Sequence, residues 1–310
     1  MLKVTADLYS GRPNPEWTVN GAEAAQILKD LALNPTAAAA MDSGFQGLGN
    51  RGLIVEPLSD DASAEYGLPT SFRLANGVGG ASGKGLEVAE RLVRGMLDAS
   101  ATPVLGDVNA PKDEYDKGLQ QMLLDHIASA AASTTTEATQ QPATSEEETD
   151  DAAARAAAVC QIEVAAFNPG FWNVPAVMPR NNCYNYATNR RTDTFAQPGR
   201  ASGRMYSAIN CAEVGAAAVR DGARQHPNCA PASEASRWYM ALVIAPGPGF
   251  RDYHWYRRSR EGFWGHKPGG TAARNVDNAG GVIVDPRTAN RGPYTIFCGF
   301  YYAQRRMVVR

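Results

Sequence analysis

Residues 133–151 read Ser-Thr-Thr-Thr-Glu-Ala-Thr-Gln-Gln-Pro-Ala-Thr-Ser-Glu-Glu-Glu-Thr-Asp-Asp. No aromatic residue and no aliphatic larger than Ala or Pro interrupts the stretch. Such a segment cannot bury enough apolar surface to offset the chain entropy of ordering it, so it predicts a disordered acidic tether. The tether divides the 310 residues into an N-terminal module over 1–130, a linker over 131–156 and a C-terminal domain over 157–310. Two units of this size match the ~100–200 residues of ordinary soluble domains.

The division also separates charge. From residue 157 onward there are 19 basic side chains, 18 of them Arg, against 9 acidic ones; residues 1–156 hold 11 basic and 23 acidic. This asymmetry predicts either contact between the acidic and basic halves or an anionic partner for the basic half. The longest apolar run, Trp238 to Ala245, is strand-sized and far short of the ~20 residues of a membrane helix, so no membrane partner is expected. Met1 to Asp7 lacks a basic segment followed by an apolar one, which makes the cytoplasm the expected location. All five cysteines lie in the second half, and in a cytosolic chain they are expected to be reduced.

The N-terminal module reads as βαββαα. Leu2 to Tyr9 alternates like a strand and ends in the turn-rich Ser10-Gly11-Arg12-Pro13-Asn14-Pro15. Helices are predicted over 22–33, 86–97 and 114–128, and strands over 52–56 and 71–74. The glycine-rich run Gly77 to Gly85 departs from the GxxxxGK[ST] spacing of a phosphate loop and reads as a turn. Trp17 is expected to cap the module core, and His126 to be a packed or surface residue.

The C-terminal domain opens with loops and then Asn181-Asn182-Cys183-Tyr184-Asn185-Tyr186-Ala187. Asn182 is a good N-cap, and Cys183, Tyr186 and Ala187 share a helical face. A thiol at a helix N-terminus feels the positive end of the backbone dipole, which favours thiolate. A second helix is expected over 211–221. Strands follow over 238–245, 250–258, 262–267, 282–284 and 294–302. In the second of these, Asp252, His254 and Tyr256 share one face, and Tyr253 and Trp255 the other. Helices followed by an antiparallel meander make the fold class α+β.

This order, a cysteine at a helix N-terminus and then a meander with His254 on an early strand and His266 on the next, resembles the compact bacterial papain-like cysteine hydrolases of the NlpC and CHAP type. The resemblance covers residues ~160–310, and Asn-Cys-Tyr-Asn-Tyr stands where those families have Asp-Cys-Ser-Gly. It implies a thiol peptidase or amidase. Cys183 would attack a carbonyl, His254 would take its proton, and His266, or alternatively Asp277, would orient the imidazole. Asn182 and Tyr184 would supply oxyanion donors beside the Cys183 backbone N–H. Trp255, Arg257 and Trp264 would contact a peptide or other amide substrate, with the Arg excess favouring an anionic one such as a cell-wall peptide. No cofactor and no metal is required.

Two other readings compete. Arg251 to Arg260, with Tyr253, Trp255 and Tyr256 interleaved, suits a nucleic-acid-binding or nuclease domain through stacking and phosphate contact. A non-catalytic, toxin-associated binding module is the second. Cys211, His226 and Cys229 lack a fourth ligand at zinc spacing, although Cys211 and Cys229 suit a disulfide in an oxidising setting. The hydrolase reading predicts that iodoacetamide labels Cys183 far faster than the other cysteines and that His254→Ala slows it.

Overall fold

The computed structural model describes residues 1–75, 83–97, 117–133, 162, 164–228 and 238–310. Residues 134–151 of the tether, most of the glycine-rich run, Cys160 and Cys229 lie outside the described residues.

The fold is α+β, as read from the sequence. In the N-terminal half, β1 (Leu2–Ala6), β2 (Glu16–Val19), β3 (Leu53–Pro57) and β4 (Phe72–Leu74) form an antiparallel sheet in the order β2-β1-β3-β4. The helices are α1 (Gly21–Ala32), α2 (Asp60–Tyr66), α3 (Gly83–Arg94) and α4 (Lys117–Ser133). Leu119, Leu123 and Ile127 recur every four residues and so line one buried face of α4. Two elements escaped the periodicity. β2 follows two prolines and is only four residues long, and it exists because it zips antiparallel onto β1, with Val4 opposite Trp17. That pairing puts Trp17 in the core at 0% exposure. The other is α2, whose sequence Asp-Asp-Ala-Ser-Ala-Glu-Tyr carries no apolar stripe.

In the C-terminal half, α5 (Pro169–Trp172), α6 (Cys183–Ala187) and α7 (Cys211–Arg220) precede β5 (Arg224–Gln225), β6 (Trp238–Pro246), β7 (Arg251–Arg258), β8 (Trp264–His266) and β9 (Ile296–Ala303). The sheet order is β5-β9-β6-β7-β8. β6-β7-β8 is the expected meander, but β9 returns across it and pairs antiparallel with β6. Val282 to Val284 form no strand. Val282 makes one isolated bridge to Val276, and Ile283 is buried between the exposed Val282 and Val284.

The sheet is buried on both faces. Met240, Leu242, Ile244, Tyr253 and Trp255 pack with Cys183, Tyr184 and α7 on one side. Ala241, Val243, Ala245, Tyr256 and Tyr294 join the apolar core of the N-terminal half on the other, in a single cluster with Leu2, Val4, Phe72 and Leu123. The two halves therefore share one core.

A disulfide joins Cys211, the first residue of α7, to Cys298 on β9. This corrects both the reduced state expected of the cysteines and the pairing of Cys211 with Cys229. It also removes Cys211 as a zinc ligand.

The connection between β1 and β2 forms a tongue reaching from the first half into the second. Its base is held by Asp7, whose two oxygens meet Arg51 and Arg73 at 2.7 Å each. Burial opposes the Asp7 charge, yet the two guanidinia outweigh it and hold the carboxyl well below the usual range. Asn14 donates to Asp7 and accepts from the backbone N–H groups of Leu8 and Tyr9, closing the turn. At the tip, Asp252 of β7 accepts from the backbone N–H of Ser10 (2.5 Å), Gly11 (3.1 Å) and Arg12 (3.2 Å) and from the Tyr294 hydroxyl (2.6 Å). The Gly11 carbonyl accepts from Asn182, Gln197 and Tyr253. A Cβ on Gly11 would lie 2.5 Å from the Tyr253 carbonyl oxygen, so only glycine fits.

Gly11→Ala should therefore destabilise the whole chain by about 1–3 kcal/mol as an overpacked site. Asp252→Ala, which orphans four buried donors, should cost at least about 3 kcal/mol. Both are read from urea midpoints, and an unchanged midpoint for either would show that the tongue does not hold the halves together.

Candidate functional site

α6 begins where the sequence places it. The Asn182 side chain accepts from the N–H groups of Tyr184 and Asn185, and the Asn185 side chain accepts from the Asn182 N–H in return, a complete capping box. Cys183 follows at 0% exposure and is the free cysteine among the described residues. Burial pushes its thiol well above the ordinary range, and the negative charge of Asp252 pushes the same way. The expectation of a dipole-favoured thiolate is corrected: a five-residue helix carries a small dipole, and desolvation outweighs it.

His254 and His266 do meet, Nε2 to Nδ1, at 2.9 Å. His266 Nε2 lies 3.0 Å from the Val276 carbonyl oxygen, which can only accept. The Nε2 proton of His266 is thus assigned, its Nδ1 is bare, and His254 Nε2–H must be the donor. That leaves His254 Nδ1 as a bare acceptor, and it is buried without any hydrogen-bond partner. Cys183 therefore does not reach it. The strand alternation gives the reason: Tyr253 and Trp255 face the cluster holding Cys183, whereas Tyr256 faces the shared core, and His254 has the register of Tyr256. Burial drives both imidazoles down, His254 well below its ordinary value with the charges of His266 and Arg51 adding to the effect, and His266 to about 3.

The remaining residues singled out from the sequence are structural in their contacts. Asp277 accepts from the backbone N–H of Ala279, Gly281 and Asn290 and shapes a turn. Asn182 spends its amide on Gly11 and Ala196, and Tyr184 donates to Asp221 at 2.9 Å. The Cys183 N–H itself points at the Ser10 carbonyl, 3.4 Å away. Every group nominated as an oxyanion donor is thus occupied by the chain. Trp255 is packed between Tyr184 and Tyr301, Trp264 against Tyr239 and Phe300, and Arg257 donates to the Tyr186 carbonyl while lying over its ring. None of the three is exposed. Tyr253 and Tyr256 are buried as well, so this strand offers no stacking surface to nucleic acid.

Sequence reasoning missed Asp252 and Lys267 as anchors. The Lys267 ammonium is buried and donates to the carbonyls of Met178 and Asn181 at 2.5 Å and Gly269 at 2.8 Å. Burial pushes it down to about 7, while three carbonyls that can only accept keep hydrogen on the nitrogen. The available signal was a charged residue inside an aromatic strand, a position that requires internal partners. Asn181 lies 86 residues from Lys267 in sequence, and Gly11 lies 241 residues from Asp252.

No family model matches the chain, and no solved structure matches it. The sequence is 48% identical over 145 residues to insoluble matrix shell protein 1 of Ruditapes philippinarum, an alignment covering 47% of this chain and 92% of that protein. The chain belongs to the family of that shell matrix protein. This relationship to a molluscan matrix protein overturns the cysteine-hydrolase expectation, with its thiol-protease and bacterial attributions, and the isolation of Cys183 from His254 agrees with that correction. No helix among the described residues is long and apolar enough to cross a membrane.

Two measurements check this site. Iodoacetamide should leave Cys183 unlabelled in the folded chain and label it only on unfolding; fast labelling at neutral pH would contradict its burial. The neutral, buried histidines also set a pH dependence. Below about pH 6.5 the unfolded chain binds protons that the folded histidines refuse, so stability falls as pH falls toward 3. Asp252, raised by burial, acts in the opposite sense. The net loss between pH 7 and pH 5 should be about 2–4 kcal/mol, and a pH-independent urea midpoint would mean that the pair is solvated.

Proposed function

We propose that this chain is a non-catalytic structural module of an extracellular, shell-type matrix, acting by association with other matrix components. The observation that carries the proposal is the 48% identity that spans 92% of insoluble matrix shell protein 1. Two features of the fold support it. The Cys211–Cys298 disulfide suits an oxidising compartment, in place of the cytoplasm expected from the N-terminal residues. The tongue occupies the ground above Cys183 with Ser10 and Gly11, which suits a protein that persists in an assembly without turning over a substrate. We read the likeness to papain-like hydrolases as one of element order alone.

The reading is tested in tissue that makes the protein. Antibodies to the chain should mark extracellular matrix, and the protein should stay in the pellet when the tissue is extracted with salt and weak acid. Recovery in the cytosolic fraction, or peptidase activity of the purified chain that Cys183→Ala abolishes, would overturn it.

A further inference from the structure

A cleft of about 750 Å³ opens between the two halves beside the tongue. Pro13, Met41 and Ile54 line it from the first half, and Met178, Pro179 and Phe195 from the second. Phe195 is held at φ 50°, a left-handed backbone that a bulky residue rarely adopts, by its N–H bond to the Arg180 carbonyl at 2.7 Å. Arg274 also faces the cleft. Its backbone is locked to β8 in both directions, N–H to the His266 carbonyl at 2.9 Å and carbonyl from the His266 N–H at 2.8 Å. Its guanidinium donates to no residue among those described, and its Nε is buried from solvent with no acceptor.

Asp7 is taken up by Arg51 and Arg73, and Arg274 has no ion-pair partner among the described residues. Arg51 repels it and adds to the effect of burial in lowering its proton affinity. The two terminal NH2 groups of this half-buried guanidinium have no acceptor among the described residues, and their planar fork fits a carboxylate through two parallel bonds. The opposite wall restricts what that anion can belong to. Glu16, held by Lys3 and Thr5, and the exposed Asp42 line the cleft there and repel a second negative group. The apolar lining accepts aliphatic neighbours.

We propose that this cleft binds an extended peptide segment carrying one carboxylate, with Arg274 clamping the acid and the apolar walls holding the flanking side chains. This goes beyond the matrix role and does not depend on it.

Calorimetric titration of the full chain with acetyl-Val-Leu-Asp-Leu-Val-amide tests the site against the same peptide with Asn in place of Asp. The acidic peptide should bind at least about tenfold more tightly, the usual worth of a charge-assisted hydrogen bond, and the preference should shrink in high salt. Arg274→Gln should abolish the preference. Ala272→Trp, which fills the cleft and leaves Arg274 in place, should abolish binding of both peptides and stands as the test should Arg274→Gln fail to fold. Equal binding of the two peptides, no binding of either, or a preference that survives Arg274→Gln would overturn the proposal. Tighter binding of poly-aspartate than of the single-acid peptide would also overturn it, in favour of a polyanion site.

Discussion

The buried carboxylate of Asp252 is the interaction on which the rest of the structure depends. A carboxylate removed from water is costly unless donors replace its hydration. Here three consecutive backbone N–H groups from the first turn of the chain and the Tyr294 hydroxyl do so. One acid thus joins the start of the chain to an inner strand of the second sheet. The rest follows from steric demand: Gly11 because any Cβ meets Tyr253, and Asn14 because its side chain closes the turn that presents the amides. With the tongue seated, the N-terminal core and one face of the C-terminal sheet close over each other as a single apolar cluster.

The same seating removes the groups that looked chemical. A helix N-terminus, a cysteine and two histidines in the right order suggest a hydrolase only if the thiol is exposed to an imidazole lone pair and to a substrate. In the folded chain, the thiol packs on one face of β7 while the imidazoles pack on the other, and the donors around the cysteine are spent on the tongue. The bare Nδ1 of His254 is a polar liability that the His266–Val276 chain imposes, since a carbonyl at its end allows only one direction of donation.

Local pattern made much of the architecture legible. The N-cap at Asn182, the fourfold spacing of Leu119, Leu123 and Ile127, and the alternation along Asp252 to Tyr256 each declared an element, because each reflects a period or a bond within a few residues. β2, the return of β9 beside β6, and the loss of a strand at 282–284 were not legible, because each is decided by which distant edge is free to pair. The candidate site fared worse for the same reason. Residue types at Cys183, His254 and His266 were readable, but the face on which each lands depends on strand register and on how α6 meets the sheet.

The amino-acid sequence by itself determined the α+β class and the helix start at Cys183, since composition and short-range periodicity suffice for those. Tertiary structure alone decided that the two parts share a core, that Cys211 bonds Cys298, that Cys183 and His254 lie apart, and that Arg274 is left without an acid. All four depend on groups distant in sequence being placed within a few ångströms, where burial makes an unmet charge or hydrogen bond expensive, and no local pattern records that placement.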